Sequence, residues 1–224
     1  MKKILYFFLV FFGIFFVYNN FDNKSINYVS FNDTLNCYNY NQMIKEYLEK
    51  NNKLLNFNDL FINKNISGLI KDIKNNRTIR YKNRDYYIKK DLRESDVLVI
   101  SIGDEELSKY YDKYDLNKNY YFFNKMYNDV ELLIKEINKY AKGKIFFLGY
   151  YNPTNYYDSK SDEFFFEIDS KLNNLMINNN MNYISLYEII KGNNYKSDEI
   201  HLNNAGNKEI MNIIEVYLRK NTWF

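Results

Sequence analysis

The chain has 224 residues, enough for one domain with a sizeable core. Its 31 lysines and arginines against 28 acidic residues give a net charge of +3, of which Lys2 and Lys3 supply two, so it carries no general nucleic-acid signature. One cysteine, Cys37, excludes an intrachain disulfide, and with a single histidine a zinc site would need mostly carboxylates, so no metal and no cofactor are expected.

The start, "MKKILYFFLVFFGIFFVYNN", sets two lysines before a run of apolar and aromatic residues from Ile4 to Tyr18. That is the pattern of a secretory n-region and h-region. No small-x-small cleavage site follows. Residues 1–22 therefore read as an uncleaved signal-anchor, lysines inside and the rest extracytoplasmic, with a cleaved signal peptide and secretion as the alternative. Residues 23–224 make the remaining domain.

Further along, "NYVSF" (27–31) is a short strand, and "NQMIKEYLEKNN" (41–52) sets Met43, Ile44, Tyr47 and Leu48 on one helical face. "LLNFNDLFI" (54–62) holds a second strand, while 67–76 and 84–95 read as helical. Segment 77–93 carries seven basic residues against two acidic ones, which reads as a solvated surface, with an anionic polymer or lipid headgroup as the other reading. "DVLVISIG" (96–103) is a strand buried on both faces. A helix over 130–143 stopping at Gly143, a strand at 144–151, a helix at 163–180, a strand at 181–190 and a closing helix at 205–220 complete the series. Strands alternating with helices predict a three-layer α/β/α, flavodoxin-like domain with a mostly parallel sheet of about five strands. Functional residues in such sheets collect beyond the carboxyl ends of the strands.

Those ends carry Asn32-Asp33-Thr34, then "NISG" with Gly68, then Asp104-Glu105-Glu106, and finally "SDEIHLNNAG" with Asp198 and the chain's one histidine, His201. A hydroxyl, an imidazole and a carboxylate on separate loops of one edge suit a nucleophile, a base and a group that orients the base. Asp198 would hold Nδ1–H of His201 and leave Nε2 to take a proton from the hydroxyl.

In order and spacing, "NYVSFNDTLN", "VLVISIGDEEL" and "SDEIHLNNAGNKEI" resemble the first, third and last blocks of the SGNH/GDSL hydrolases. The strand and loop "KIFFLGYYNP" are similar to those lying between these blocks. The resemblance spans about residues 27 to 220. It implies metal-free cleavage of an acyl ester, in a lipid or an O-acylated envelope carbohydrate, by a monomer. It places the nucleophile on Thr34 beside Asp33, the family's preceding glycine on Asn32, and the second-block oxyanion glycine on Gly68. The oxyanion asparagine falls on Glu105, with Glu106 after it. Asp198 and His201 match their block outright.

Two of these positions differ from the family in ways that matter chemically. Thr34 keeps a hydroxyl, but its extra methyl stiffens χ1 and crowds the attack path. An ionised Glu105 accepts where the family's asparagine donates, and loss of one such donor typically costs ~10²–10³ in rate. Asn36 and Asn152 are other amides on these loops. The sequence thus supports either a Thr/His/Asp ester hydrolase or a catalytically degenerate relative that binds an envelope ligand or partner.

Overall fold

The computed structural model describes residues 25–32, 40–62, 65–81, 83–112, 114–152, 159–191, 194–197 and 201–220. The segment expected to act as an anchor, 1–22, lies outside them. Among the described residues no helix is long and apolar enough to cross a membrane.

Five runs form one sheet: β1 (Ile26–Asn32), β2 (Leu54–Phe61), β5 (Val97–Ser101), β6 (Lys144–Leu148) and β7 (Asn182–Ile184). Their order is β2-β1-β5-β6-β7, and every pairing is parallel. With the sheet strands counted by themselves this is the 2-1-3-4-5 order of the flavodoxin-like doubly wound fold. Each residue of β5 is buried, as a central strand covered on both faces requires.

Two apolar layers flank the sheet. On one side α1 (Tyr40–Lys50), α7 (Leu186–Ile190) and the closing α8 (Asn204–Lys220) bury Ile44, Leu48, Ile190, Ile210 and Ile214 against Tyr28, Val99 and Phe146. On the other, α2 (Ile66–Lys74), α3 (Ile88–Glu94), α5 (Leu116–Ile137) and α6 (Ser159–Asn178) pack on Phe31, Leu98, Ile100 and Phe147. Full burial of one such side chain is worth roughly 1.5–3 kcal/mol, so both layers are needed to fix the sheet. Between β5 and α5 sits the short α4 (Asp104–Tyr110).

Three local expectations need correction. The helix expected over 84–95 begins as a strand: β3 (Thr78–Tyr81) and β4 (Arg84–Tyr87) pair antiparallel, and the turn uses Asn83 at φ +61°. The strand expected over 181–190 stops at Ile184. There Ser185 Oγ accepts the Glu188 N–H at 3.0 Å and starts α7, a cap the spacing Ser-x-x-Glu announces. The helix expected over 130–143 begins at Leu116, capped by Asp115, and ends at Ile137. Gly143 serves another purpose, since a Cβ there would lie 2.3 Å from the Ser95 carbonyl oxygen.

Much of the basic charge in 77–93 is engaged locally. Arg77 pairs with Asp72 at 3.5 Å, and Lys89 and Arg93 lie 5.0 and 5.3 Å from the centre of the Tyr140 ring. Asp91, buried in α3, accepts from Asn58 Nδ2 at 3.1 Å, while its Oδ2 has no partner among the described residues. Burial, with Glu94 adding to it, pushes its carboxyl up to about 6, against Lys90 and the Asn58 bond. Because the folded state holds this proton more tightly than the unfolded chain, that contribution is complete below the ordinary value of 3.8 and is lost as pH rises through about 6. Asp91→Asn should therefore gain stability on the wild type between about pH 4 and pH 7 and track it above. Urea midpoints across that range test this, and a constant offset would mean that Asp91 does not titrate there.

Candidate active site at the carboxyl edge of the sheet

In this strand order the chain leaves β1 toward one edge and β5 toward the other, opening a crevice between their carboxyl ends, where such folds bind ligands. Asn32 and Ser101 are the last paired residues on the two sides of it.

Thr34 and Asp33, with Asn36 and Cys37, belong to residues 33–39, outside those described. Both flanks of that segment are firmly held. Asn32 Nδ2 donates to Asp59 Oδ1 at 2.7 Å, and its Oδ1 accepts from the Tyr40 hydroxyl at 3.2 Å. Asp59 also accepts from Ser30 Oγ at 2.5 Å and Asn41 Nδ2 at 3.1 Å, and the Tyr28 hydroxyl donates to Asn41 Oδ1 at 2.5 Å. Burial, reinforced by Tyr40 and Asp59, raises the Tyr28 phenol well above its ordinary value, so it stays a donor. A buried network satisfied in this way is rigid.

His201 is half-buried on the loop that precedes α8. A bridge between Lys196 and Leu202 closes the loop, and the His201 carbonyl accepts from the Ser197 N–H at 2.8 Å and Ser197 Oγ at 3.1 Å. Asn203 Oδ1 accepts the N–H groups of Ala205 and Gly206, both at 3.0 Å, and so caps α8. Asp198 falls within 198–200, outside the described residues.

Asn207 joins the two regions. It is 1% exposed, and its Oδ1 accepts the Tyr40 N–H at 3.2 Å while Nδ2 donates to the carbonyls of Leu202 and Asn203. The chain leaving the Thr34 segment is thereby tied to the loop that carries His201. Lys196 Nζ extends the tie to the exit of β6 by donating to the Asn152 carbonyl at 3.2 Å.

The exits of β2 and β5 form a second pair. Gly103, at φ +106°, turns the chain into α4, where Asp104 is buried and accepts from Ser101 Oγ at 3.3 Å. Glu105 lies in the first turn of α4. Glu106 Oε2 accepts the Ile66 N–H at the start of α2 at 3.5 Å. Burial raises the Glu106 carboxyl; Asp129 adds to this, and the Ile66 N–H and Lys125 oppose it. Gly68 lies in the first turn of α2. Its N–H donates to Asn65, to Oδ1 at 2.9 Å and to the carbonyl at 3.0 Å, as an ordinary helix cap.

Sequence reasoning singled out His201 but missed Asn207, Tyr40 and Asn203. Asn203 carried a readable signal, a capping residue just before a helical run. Asn207 carried none, since a buried asparagine inside a helix is visible only once its distant partner is known. Among the described residues, no group of three His, Cys, Asp or Glu side chains is placed to hold a metal ion.

No known family profile and no curated protein matches the chain by sequence. Solved structures do match by shape. A lipase from a goat rumen metagenome superposes with a TM-score of 0.64 at 15% identity, over 84% of this chain and 95% of the lipase. An acetylxylan esterase from Geobacillus stearothermophilus gives 0.61 at 13% identity, over 91% and 97% of the two chains. A G-D-S-L family lipolytic protein from Veillonella parvula gives 0.56 at 14% identity, over 86% and 98%. With its parallel five-stranded sheet, its flanking helices and superpositions over 84–91% of its length, the chain has the fold of these esterases and lipases.

Proposed function

We propose that the protein is a GDSL-type ester hydrolase that removes an acyl group from a lipid or an O-acylated envelope carbohydrate. The observation that carries this reading is the Tyr40–Asn207 hydrogen bond, which ties the flanks of Thr34 and His201 together at the edge where this fold places ligands. The G. stearothermophilus esterase lends support: its catalytic mutants replace a serine, an aspartate and a histidine three positions after that aspartate. Asp198 and His201 have that same spacing.

In the proposed reaction Thr34 Oγ attacks the acyl carbon and passes its proton to His201 Nε2, while Asp198 holds Nδ1–H. The tetrahedral intermediate expels the alcohol, which takes the proton from His201. Water then repeats the sequence on the acyl-threonine and releases the acid. The Thr34 N–H receives the oxyanion, beside Asp33, and the Gly68 N–H joins it on release from Asn65. Residues 1–22 hold this monomeric domain outside the membrane, within reach of envelope esters.

A second reading has its own support. The Gly68 N–H is already spent on Asn65, and Glu105 takes the position that the family resemblance assigns to a donating asparagine. Both favour a scaffold that binds an envelope ligand without turning it over. Hydrolysis of p-nitrophenyl acetate separates the two. The hydrolase reading expects turnover by the natural chain, raised about 10²-fold or more by Thr34→Ser combined with Glu105→Asn. Activity in the double variant alone would identify a degenerate scaffold, and activity in neither would end the hydrolase reading.

A further inference from the structure

Beside the crevice lies a second recess, of about 410 Å³, that the chemistry above does not use. Asn65, just ahead of α2, and Glu106 and Tyr110 of α4 line it together with Lys118, Tyr121 and Asp129 of α5. Asn65 and Glu106 follow the carboxyl ends of β2 and β5 by a few residues, so this part of the lining lies toward that edge of the sheet. Its volume lies within the ordinary range for small-molecule sites.

Three aromatic rings line it. Tyr110 and Phe122 sit with ring centres 4.5 Å apart, and Tyr121 is 77% exposed. An exposed tyrosine that fills no core offers a flat apolar face with a wet hydroxyl at one end. The polar lining is mixed and mostly held in place. Asp129 accepts from Ser67 Oγ at 2.9 Å, Glu106 accepts the Ile66 N–H, and Lys118 pairs with Asp112 at 3.5 Å. Lys125 stands among these carboxylates.

We infer that this cleft binds a neutral pyranose unit, so that the ester-bearing substrate is an uncharged glycan. The C–H face of a sugar ring packs on Tyr121 and Tyr110. Its hydroxyls, which both donate and accept, match a lining that offers ammonium donors, carboxylate acceptors and the amide of Asn65. An acyl chain in the same place would strip water from Lys125, Glu106 and Asp129 and return no hydrogen bonds. A polyanion would meet the carboxylates of Glu106 and Asp129. The inference rests on the ester-hydrolase reading for the ester itself, while binding of the sugar can be measured without turnover.

The test is titration calorimetry of the full-length chain with xylotetraose, cellotetraose and chitotetraose, and with trigalacturonate as the acidic probe. At least one neutral oligosaccharide should bind, weakened about tenfold or more by Tyr121→Ala and little changed by Tyr121→Phe. Tyr121 is mostly exposed, so its loss leaves the core intact. Binding to trigalacturonate alone, binding indifferent to Tyr121→Ala, or no binding by any of the four overturns the inference. Sugar binding in a chain that hydrolyses no p-nitrophenyl acetate supports the cleft and removes the hydrolase. Hydrolysis with no sugar binding does the reverse.

Discussion

His201→Ala should lower kcat/KM for p-nitrophenyl acetate by about 10³-fold or more, with the fold intact. The imidazole accepts the nucleophile's proton and later returns it to the leaving group, so its removal disables both halves of the reaction. The loop should keep its shape because alanine retains the backbone carbonyl that accepts from Ser197 and leaves the neighbouring bridge between Leu202 and Lys196 in place. An unchanged circular dichroism spectrum with lost turnover is the expected pair of results. Turnover that persists in a folded variant would mean that the base lies elsewhere.

The largest expected loss of stability is at Gly103. Its φ of +106° lies where L-residues are strained, and a Cβ there would sit 2.4 Å from the Tyr150 hydroxyl oxygen. Tyr150 has little room to retreat, being fully buried with its hydroxyl donating to the Ile102 carbonyl at 2.8 Å. Strain and overpacking together should cost Gly103→Ala about 3 kcal/mol. Urea unfolding would show this as a lower midpoint at unchanged slope. The same substitution displaces the turn that aims Asp104 and Glu106, so any ester turnover should fall with it. A variant as stable as the wild type would show that the backbone here relaxes freely.

How well each element could be read from the sequence followed from how its hydrogen bonds and burial are arranged. β5 and β6 were legible because central parallel strands, covered on both faces, appear as unbroken apolar runs. The first half of α5 was not, since its tyrosines and asparagines hide the stripe of Asn119, Phe123, Met126 and Val130 that packs inward. The β3–β4 hairpin was missed because its strands are four residues each and its charges resemble a helical surface. β7 was overextended because Leu186, Ile189 and Ile190 suit a strand as well as a helix, and only the Ser185 cap decides between them. At the candidate site the Asp-x-x-His spacing was visible, because turn chemistry is local. The Asn32–Asp59–Asn41 network and Asn207 were not, because their partners come from other elements.

The bond between Tyr40 and Asn207 links residues 167 positions apart, the first helix of the domain with the last. Contacts of such long sequence separation close late, after the intervening chain has paid its loop entropy. During synthesis the β1 exit therefore waits for its anchor until α8 has been made. A nascent or truncated chain that lacks α8 could complete much of the sheet and still leave the two regions undocked. Any activity of this protein should thus appear only once α8 has docked on α1, which makes the seating of that helix the step that switches the site on.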